Sequence, residues 1–344
     1  MRRLAFRLVS AVLFAGLFLA VIEGACRVGE RLAYGASWTQ GGPEGLYQTG
    51  PDGSPRLVPG ARLAGWLYAV QVNSLGFRGE ELSQPKPENG LRVWCLGGST
   101  TFDIYARDDA SAWPARVAPL LAAASPGRPV VVVNAGVPGM VLSSSTVDLL
   151  ARDEALRPDI VLIHHGPNDL RLESRVGLPE APPAPEVHVA LVRVLARVLP
   201  PAPPLPEWRE RQLHAGGIPA IRARTLALVD AAEERGIAVV LATMAHRASD
   251  DALGDEALQG VAEGVRLYRM SPEAVIAMVA NYNTMVRELA AERGLPLADL
   301  RAAVPTDESY WGDATHFAAP GAEIAAKTVA DTIIAAGLLG RPSR

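Results

Sequence analysis

The sequence predicts an α/β fold, a doubly wound parallel sheet with helices on both faces. From residue 91 onward, short apolar runs alternate with longer stretches of helical periodicity. The apolar runs are continuous and do not alternate with polar residues, which is the pattern of strands buried on both faces. Glycine-containing motifs directly follow several of these runs. That is where open parallel sheets place their ligand sites, so the motifs support the same fold.

Five strands and five helices are expected in the C-terminal three quarters of the chain. The predicted strands, all rich in branched apolar residues, are 91–96, 130–133, 160–163, 237–242 and 296–300. The predicted helices are 111–124, 143–156, 221–234, 272–293 and 321–336. Ser111 is of the residue type that caps helix N-termini, and it marks the expected start of the first of these helices.

Length and composition limit the classes of protein to be considered. A chain of 344 residues can bury a substantial core, and we expect one large domain with extensions. The formal charge of −4 and a pI near 5.9 give no basic surface, so no nucleic-acid partner is predicted. Cys26 and Cys95 are too few for a disulfide framework. No metal-ligand cluster is recognisable in the sequence, and we predict neither a metal nor a cofactor.

The N-terminus, residues 1–26, is predicted to be a membrane anchor or a signal segment. Three arginines within the first seven residues precede the uncharged run 8–22. This run is shorter than the ~20 residues of a comfortable span, but snorkelling of Arg7 and Glu23 makes a span feasible. Glu23 occupies the place where a signal cleavage site would need small residues. We therefore favour an uncleaved anchor over secretion after cleavage, with the remaining chain outside the cytoplasm.

Two segments surround or interrupt the main domain, which is expected over 90–340. Residues 27–89 are predicted to be a juxtamembrane extension with short strands near 67–72. The turn 73–78 is expected to attach this extension to the main domain; the alternative for this turn is an ordinary Asn/Gly turn without that role. Residues 177–206 form a proline-rich insertion around an apolar helix. It is either a surface insertion that covers the sheet or a lid over the site.

Motifs that carry chemistry follow the predicted strands. Ser99 follows the first strand in Gly-Gly-Ser, Gly139 closes the turn after the second, and Asn168 lies in Gly-Pro-Asn-Asp after the third. Asp313 and His316, in Asp-Ala-Thr-His, lie beyond the fifth strand. Because the carboxyl ends of parallel strands share one edge, these motifs are expected to converge. Each motif alone is equally an ordinary turn, cap or surface pair.

Together these residues supply the groups needed for acyl transfer. Ser99 is the candidate nucleophile and His316 the base that it requires. Asp313 lies three residues before His316, so its carboxylate can reach Nδ1 and leave Nε2 directed at the serine. The Asn168 amide and the backbone N–H groups of Ser99 and Gly139 are candidate oxyanion donors. A Walker A loop is ruled out, because no lysine follows the Gly-Gly-Ser turn.

Two further histidines follow predicted strands on the same edge. His165 ends the third strand and His246 follows the fourth, and both are candidate substrate contacts. A buried structural histidine is the alternative for each of them.

The motif set resembles the SGNH (GDSL-type) hydrolase superfamily, whose four blocks hold Ser, Gly, Asn and His. The matching segments are 96–101, 134–139, 166–169 and 313–316. The residues that take the four positions are Ser99, Gly139, Asn168 and His316. Ala112-Trp113-Pro114 also resembles the first helix of small bacterial members. Gly98 departs from the pattern, because many members have aspartate before the serine.

The resemblance implies a three-layer α/β/α, flavodoxin-like fold with a five-stranded parallel sheet, and metal-free hydrolysis of carboxylic esters. The N-terminal segment together with Asn73-x-x-Gly76-Phe77-Arg78 resembles a bacterial branch of the superfamily whose members are anchored in the membrane of the cell envelope. We therefore expect a serine esterase or deacylase that acts on acyl-carbohydrate, lipid or small acyl esters. An O-acyltransferase for envelope glycans and a non-catalytic glycan-binding module are the alternatives.

Overall fold

The computed structural model describes residues 2–39, 42–178, 189–198, 211–247 and 264–343. Its N-terminal part contains helix α1 (Arg2–Tyr34), followed by short strands. The strands form three antiparallel pairs: β1 (Trp38–Thr39) with β2 (Gly42–Pro43), β3 (Tyr47–Thr49) with β4 (Pro55–Leu57), and β5 (Arg62–Ala64) with β6 (Ala69–Gln71).

The main domain is organised around a five-stranded sheet in which all neighbouring strands run parallel. Its strands are β7 (Leu91–Gly97), β8 (Val130–Gly136), β9 (Ile160–His164), β10 (Ala238–Ala242) and β11 (Leu297–Ala298). Their order across the sheet is β11–β10–β9–β7–β8. The chain therefore enters the sheet at β7, adds β8 at the neighbouring edge, and then adds β9, β10 and β11 in turn on the other side of β7.

Helices connect the strands and cover the sheet. They are α2 (Ser99–Phe102), α3 (Trp113–Ala124), α4 (Leu142–Leu156), α5 (Pro167–Ser174), α6 (Ala190–Val198), α7 (Gly217–Glu233), α8 (Pro272–Arg293), α9 (Leu300–Ala303) and α10 (Ala319–Ala335). Helices α3 and α10 pack on one face, and α4, α7 and α8 pack on the other. This confirms the predicted three-layer α/β/α fold.

The strand sequence explains why both faces are covered. Along β7 the side chains of Trp94 and Leu96 join one core cluster, whereas those of Val93 and Cys95 join the other. All four are buried and apolar, so an uncovered face would leave a broad apolar surface in water. Every predicted strand of the sheet is present, but several elements differ in their bounds and the short helices α2, α5 and α9 were not predicted.

Three of these differences have local causes. The helix expected from residue 111 begins at Trp113, because Ser111 exchanges hydrogen bonds with Asp108 instead of capping the helix. The last strand is shorter than predicted, because Asp299 turns the chain and accepts the N–H of Ala302 at the start of α9. Strand β8 is longer than predicted and continues to Gly136, where a side chain would overlap the backbone of α2.

The N-terminal strands share a core with the main domain. Leu46, Leu57 and Val70 pack in one cluster with Phe102 of α2 and Met140, which precedes α4. The predicted turn 73–78 lies between them and the sheet. Its buried Arg78 donates from Nη1 to the carbonyl oxygens of Phe102 and Asp103, at 2.8 and 2.9 Å.

Helix α1 carries the stretch Val9–Tyr34, which is long and apolar enough to cross a membrane by length and composition. The insertion 177–206 is described only at its start and over 189–198, and the rest lies outside the described residues. Its helix α6 packs along α1, a partner that the sequence did not indicate. The N–H groups of Ala190 and Leu191 donate to the Glu23 carboxylate at 2.9 Å, and Arg193 pairs with Glu30.

Candidate active site

Ser99 is held on a tight turn between strand β7 and helix α2. At Gly97 a side chain would overlap Thr101 Oγ1 and the carbonyl oxygen of His164, so only glycine allows this turn. At Gly98 a Cβ would lie 2.5 Å from Asn168 Nδ2, so the Asn168 amide occupies the space that a side chain would need. Both glycines are therefore required for this turn: Gly97 allows close packing against Thr101 and His164, and Gly98 leaves room for the Asn168 amide.

The structure brings Ser99, His316 and Asp313 into one hydrogen-bonded chain. His316 Nε2 lies 2.7 Å from Ser99 Oγ, and His316 Nδ1 lies 2.7 Å from Asp313 Oδ2. The three side chains are part-buried and remain accessible from solvent. With Nδ1–H donated to the carboxylate, Nε2 is free to accept the serine proton. This geometry can activate a hydroxyl for attack on a carbonyl carbon.

Asp313 is kept ionised by its surroundings. Burial on its own raises the pKa of the Asp313 carboxyl, but the hydrogen bond and charge of His316, with the backbone N–H of Thr315, lower the pKa to about 2. The N–H groups of Thr315 and His316 both donate to Asp313 Oδ1 at 2.9 Å. These backbone bonds also lock the Asp-x-x-His turn, so the carboxylate is oriented independently of the imidazole.

The candidate oxyanion donors surround the same serine. Gly139 has a φ of +85°, a left-handed conformation that favours glycine. Asn168 Nδ2 donates one hydrogen bond, to the Met140 carbonyl oxygen at 3.0 Å, and its second hydrogen is available. Within the described part of the chain, the backbone N–H groups of Ser99 and Gly139 donate to no protein acceptor. These donors can bind an oxygen that acquires negative charge.

A buried network behind Asn168 fixes the loop that carries Gly139. The Asp169 carboxylate accepts the N–H of Leu142 at 3.2 Å, and so joins the start of α5 to the start of α4. His165 Nε2 lies 2.9 Å from Ser145 Oγ, and its Nδ1 lies 3.5 Å from Asp169. Asp169 was not predicted as a site residue, although it stands in the same motif as Asn168.

A second buried contact, between Thr101 of α2 and His164 of β9, holds the turn that carries Ser99. Thr101 Oγ1 donates to the carbonyl oxygen of His164 at 3.1 Å and lies 3.0 Å from His164 Nδ1. The His164 ring meets Trp113 edge-on. Burial, reinforced by the neighbouring His165, lowers the pKa of His164 to about 3, so this histidine is neutral in the folded protein. Its contacts give His164 a structural role in holding α2 against β9.

Tyr105 is a site residue that the sequence did not reveal. Its ring centroid lies 6.0 Å from that of His316, and the ring packs over Gly312, where a Cβ would come 2.5 Å from Tyr105 Cδ2. The side chain is 51% exposed beside the candidate base. No motif marks it, because its position depends on how the loop after α2 packs on the Asp-x-x-His turn.

The two other predicted substrate contacts lie away from solvent. His165 and His246 are both buried, and His165 is engaged by Ser145 and Asp169. His246 precedes Arg247, whose N–H donates to Ala314 of the Asp-x-x-His turn. Contact of either histidine with a substrate stays a prediction. Among the described residues no group of three or more His, Cys, Asp or Glu side chains could hold a metal ion.

A serine hydroxyl paired with a carboxylate-bound histidine, at the carboxyl edge of a parallel sheet, defines the class of protein as a hydrolase acting on acyl groups. The family comparison agrees. The model of the GDSL-like lipase/acylhydrolase family matches residues 95–324, and the chain belongs to this family.

Among solved structures, the chain is similar to a lipase/acylhydrolase from Enterococcus faecalis. The two are 19% identical, the match covers 74% of this chain and 99% of the other, and the TM-score is 0.44. Another is Axe2, an acetylxylan esterase from Geobacillus stearothermophilus, 18% identical, with 72% and 96% covered and a TM-score of 0.43. No curated protein matches the sequence.

Proposed function

We propose that the protein is a serine esterase or deacylase that hydrolyses carboxylic esters, of acylated carbohydrates or small acyl groups, at the cell envelope. The observation that carries this proposal is the continuous hydrogen-bonded chain from Ser99 Oγ through His316 to Asp313, with 2.7 Å at each step. Distances of this kind are those required for proton transfer between nucleophile and base.

Each residue has a defined task in the proposed reaction. Ser99 Oγ attacks the ester carbonyl carbon while its proton passes to His316 Nε2. Asp313 stabilises the resulting imidazolium, and the amide of Asn168 with the N–H groups of Ser99 and Gly139 binds the oxyanion. His316 then protonates the leaving alcohol. Water, activated by the same imidazole, releases the acid and restores the serine. One oxyanion donor contributes a factor of ~10²–10³ in rate.

The contacts of α1 support a retained anchor over a cleaved signal. Glu23 accepts two backbone N–H groups at the start of α6, and Glu30 pairs with Arg193. Cleavage after residue 26 would remove the Glu23 carboxylate and leave these N–H groups without it. The mass of the protein purified from the membrane fraction is expected to include residues 1–26. A mature chain that starts beyond residue 26 would contradict the retained anchor.

A fluorophosphonate probe tests the catalytic proposal directly. The full chain in detergent is expected to be labelled at Ser99, and Ser99→Ala is expected to lose the label while its thermal unfolding stays unchanged. Ser125→Ala, a serine outside the site, serves as the matched control and should be labelled like the wild type. Absence of labelling in a folded protein would contradict the esterase and favour a non-catalytic binding module.

A second assay separates hydrolysis from transfer. The enzyme is incubated with an activated acyl ester, with and without an acceptor oligosaccharide, and both products are measured by mass spectrometry. Hydrolysis yields free acid in equal amounts in the two reactions. Acylated oligosaccharide formed at the expense of free acid would show that the acyl-enzyme passes its group to a sugar hydroxyl, and the hydrolase proposal would then be replaced by the transferase.

A further inference from the structure

The outer half of α1 carries an apolar stripe. Val21, Ala25, Val28 and Leu32 are three or four residues apart, so they lie on one side of the helix. Val28 is 57% exposed and Leu32 is 62% exposed. The charged residues Arg27 and Arg31 project from other directions around the helix, so this half of α1 is amphipathic.

Helix α6 does not cover Val28 and Leu32, the outer part of this stripe. The space between the two helices is lined by Ala25 and, on a neighbouring face of α1, by Ile22, Cys26, Gly29 and Ala33, with Val194 from α6; Val28 and Leu32 do not line it. In the described part of the chain the stripe therefore continues the apolar surface of the Val9–Tyr34 stretch without interruption by α6.

A second apolar feature lies at the end of the stripe. The turn between β5 and β6 presents Trp66, 66% exposed, and Leu67, 47% exposed. The N–H of Trp66 donates to the carbonyl oxygen of Leu32 at 3.0 Å, and that of Leu67 donates to Ala33 at 2.9 Å. The two side chains are thus fixed where α1 ends, although folding leaves them in contact with solvent.

The attachment of this turn to α1 is tight. At Gly65 a side chain would overlap the carbonyl group of Ala33, and at Gly35, with a φ of +75°, it would overlap the backbone of Ala64. Backbones can approach this closely only where both positions are glycine. The turn therefore cannot move away from the helix without breaking backbone hydrogen bonds, and its exposed side chains keep a fixed position relative to α1.

We propose that Val28, Leu32, Trp66 and Leu67 form a membrane-contacting surface, which enters the headgroup layer of the bilayer crossed by α1 and holds the hydrolase domain against it. This rests on the retained anchor of the proposed function. The partner is lipid because the surface continues the anchor and ends in tryptophan, a residue enriched at the membrane–water interface.

The length of α1 agrees with this position. Its 33 residues extend over about 50 Å at 1.5 Å per residue, whereas a bilayer measures about 40–45 Å between the outer limits of its headgroups. A helix that enters the headgroup layer at its arginine-rich start therefore reaches the opposite headgroup layer close to Val28 and Leu32. The backbone N–H groups of Trp66 and Leu67 are bonded to Leu32 and Ala33, so these two residues lie at the same level.

Spin-label accessibility in lipid nanodiscs tests the proposal on the full chain. Leu67→Cys is labelled with a nitroxide in a Cys26→Ser background, since Cys95 is buried. Collisions with oxygen, which concentrates in lipid, are compared with collisions with a water-soluble nickel chelate. Ile334→Cys on α10, also part-exposed, is the aqueous control, and Leu13→Cys in the predicted span is the lipid control. The oxygen-to-nickel ratio at position 67 is expected to be severalfold above that at 334.

Each outcome supports or overturns the proposal. Equal ratios at 67 and 334, with position 13 in lipid, would overturn the membrane-contacting surface and leave the anchor and the esterase in place. A water-accessible position 13 would overturn the anchor, and the surface with it. Protection of position 67 from both reagents, with dipolar broadening between labels, would replace lipid by a second copy of the chain. Hydrolysis of a soluble ester by each labelled variant verifies folding.

Discussion

Replacing Gly98 by alanine tests whether the Asn168 amide takes part in catalysis. The new Cβ would lie 2.5 Å from Asn168 Nδ2, whereas ordinary contacts begin at 3.4 Å. The amide must therefore move by about 1 Å. A flexible side chain can make such a movement, but the displacement is large for a group that has to donate a hydrogen bond to the oxyanion. Folding should be little affected, since the atom that has to move is at the end of a side chain. Turnover should fall.

The expected magnitude follows from that displacement. A misplacement of about 1 Å at a reacting centre can cost a factor of ~10², and loss of a whole oxyanion donor costs ~10²–10³. Gly98→Ala should therefore lower kcat/KM by about 10², no more than Asn168→Ala does. Gly340→Ala, at a glycine with open space around it, is the matched control and should have wild-type kinetics.

A double-mutant cycle on ester hydrolysis identifies the cause. If alanine at 98 acts by displacing the amide, then Gly98→Ala should have almost no further effect in an Asn168→Ala background. Additive losses would mean that the substitution distorts the Ser99 turn instead. Wild-type kcat/KM in Gly98→Ala, with the folded state verified by thermal unfolding, would refute the assignment of Asn168 as an oxyanion donor.

Three further substitutions are informative. Asp313→Asn should lower kcat by up to ~10⁴ in a protein that thermal unfolding shows to be folded, because His316 loses its orienting carboxylate; an unchanged kcat in steady-state assays would contradict that role. Burial raises the pKa of Asp103 to about 6, above its unfolded value, so protonation of Asp103 should contribute about 2 kcal/mol to the unfolding free energy as the pH falls from 7 to 4. In urea titrations the unfolding free energy of the wild type minus that of Asp103→Asn should rise by this amount over the same range; a constant difference would contradict the raised pKa. Arg78→Lys should lower the unfolding free energy by ~3 kcal/mol, because lysine cannot replace all the hydrogen bonds that the buried guanidinium donates to the carbonyl oxygens of Phe102 and Asp103. An unfolding free energy equal to that of the wild type in urea titrations would show that these hydrogen bonds do not stabilise the fold.

The strands, the long helices and the motifs of the site could be predicted because each depends on a few consecutive residues. Strands such as β7 are short apolar runs that glycine turns terminate, and both signals are contained in a few consecutive residues. The carboxyl-edge rule then brought the motifs of Ser99 and His316 together without knowledge of any contact. Long-range packing was not accessible in this way. The sequence indicated that the turn 73–78 attaches the extension to the domain, but not that Arg78 holds the backbone of α2 or that Tyr105 covers the Asp-x-x-His turn.

The separation of Ser99 and His316 along the chain, 217 residues, has a consequence for biosynthesis. The serine is synthesised early, whereas His316 follows the final strand β11 and directly precedes the final helix α10. In a nascent or truncated chain that lacks His316, the Ser99 hydroxyl has no base and is unreactive. Ester hydrolysis therefore requires that the C-terminal part of the domain has folded onto the turn that carries Ser99. In refolding experiments, recovery of ester hydrolysis should accordingly lag behind the formation of secondary structure, because contacts between distant segments form slowly.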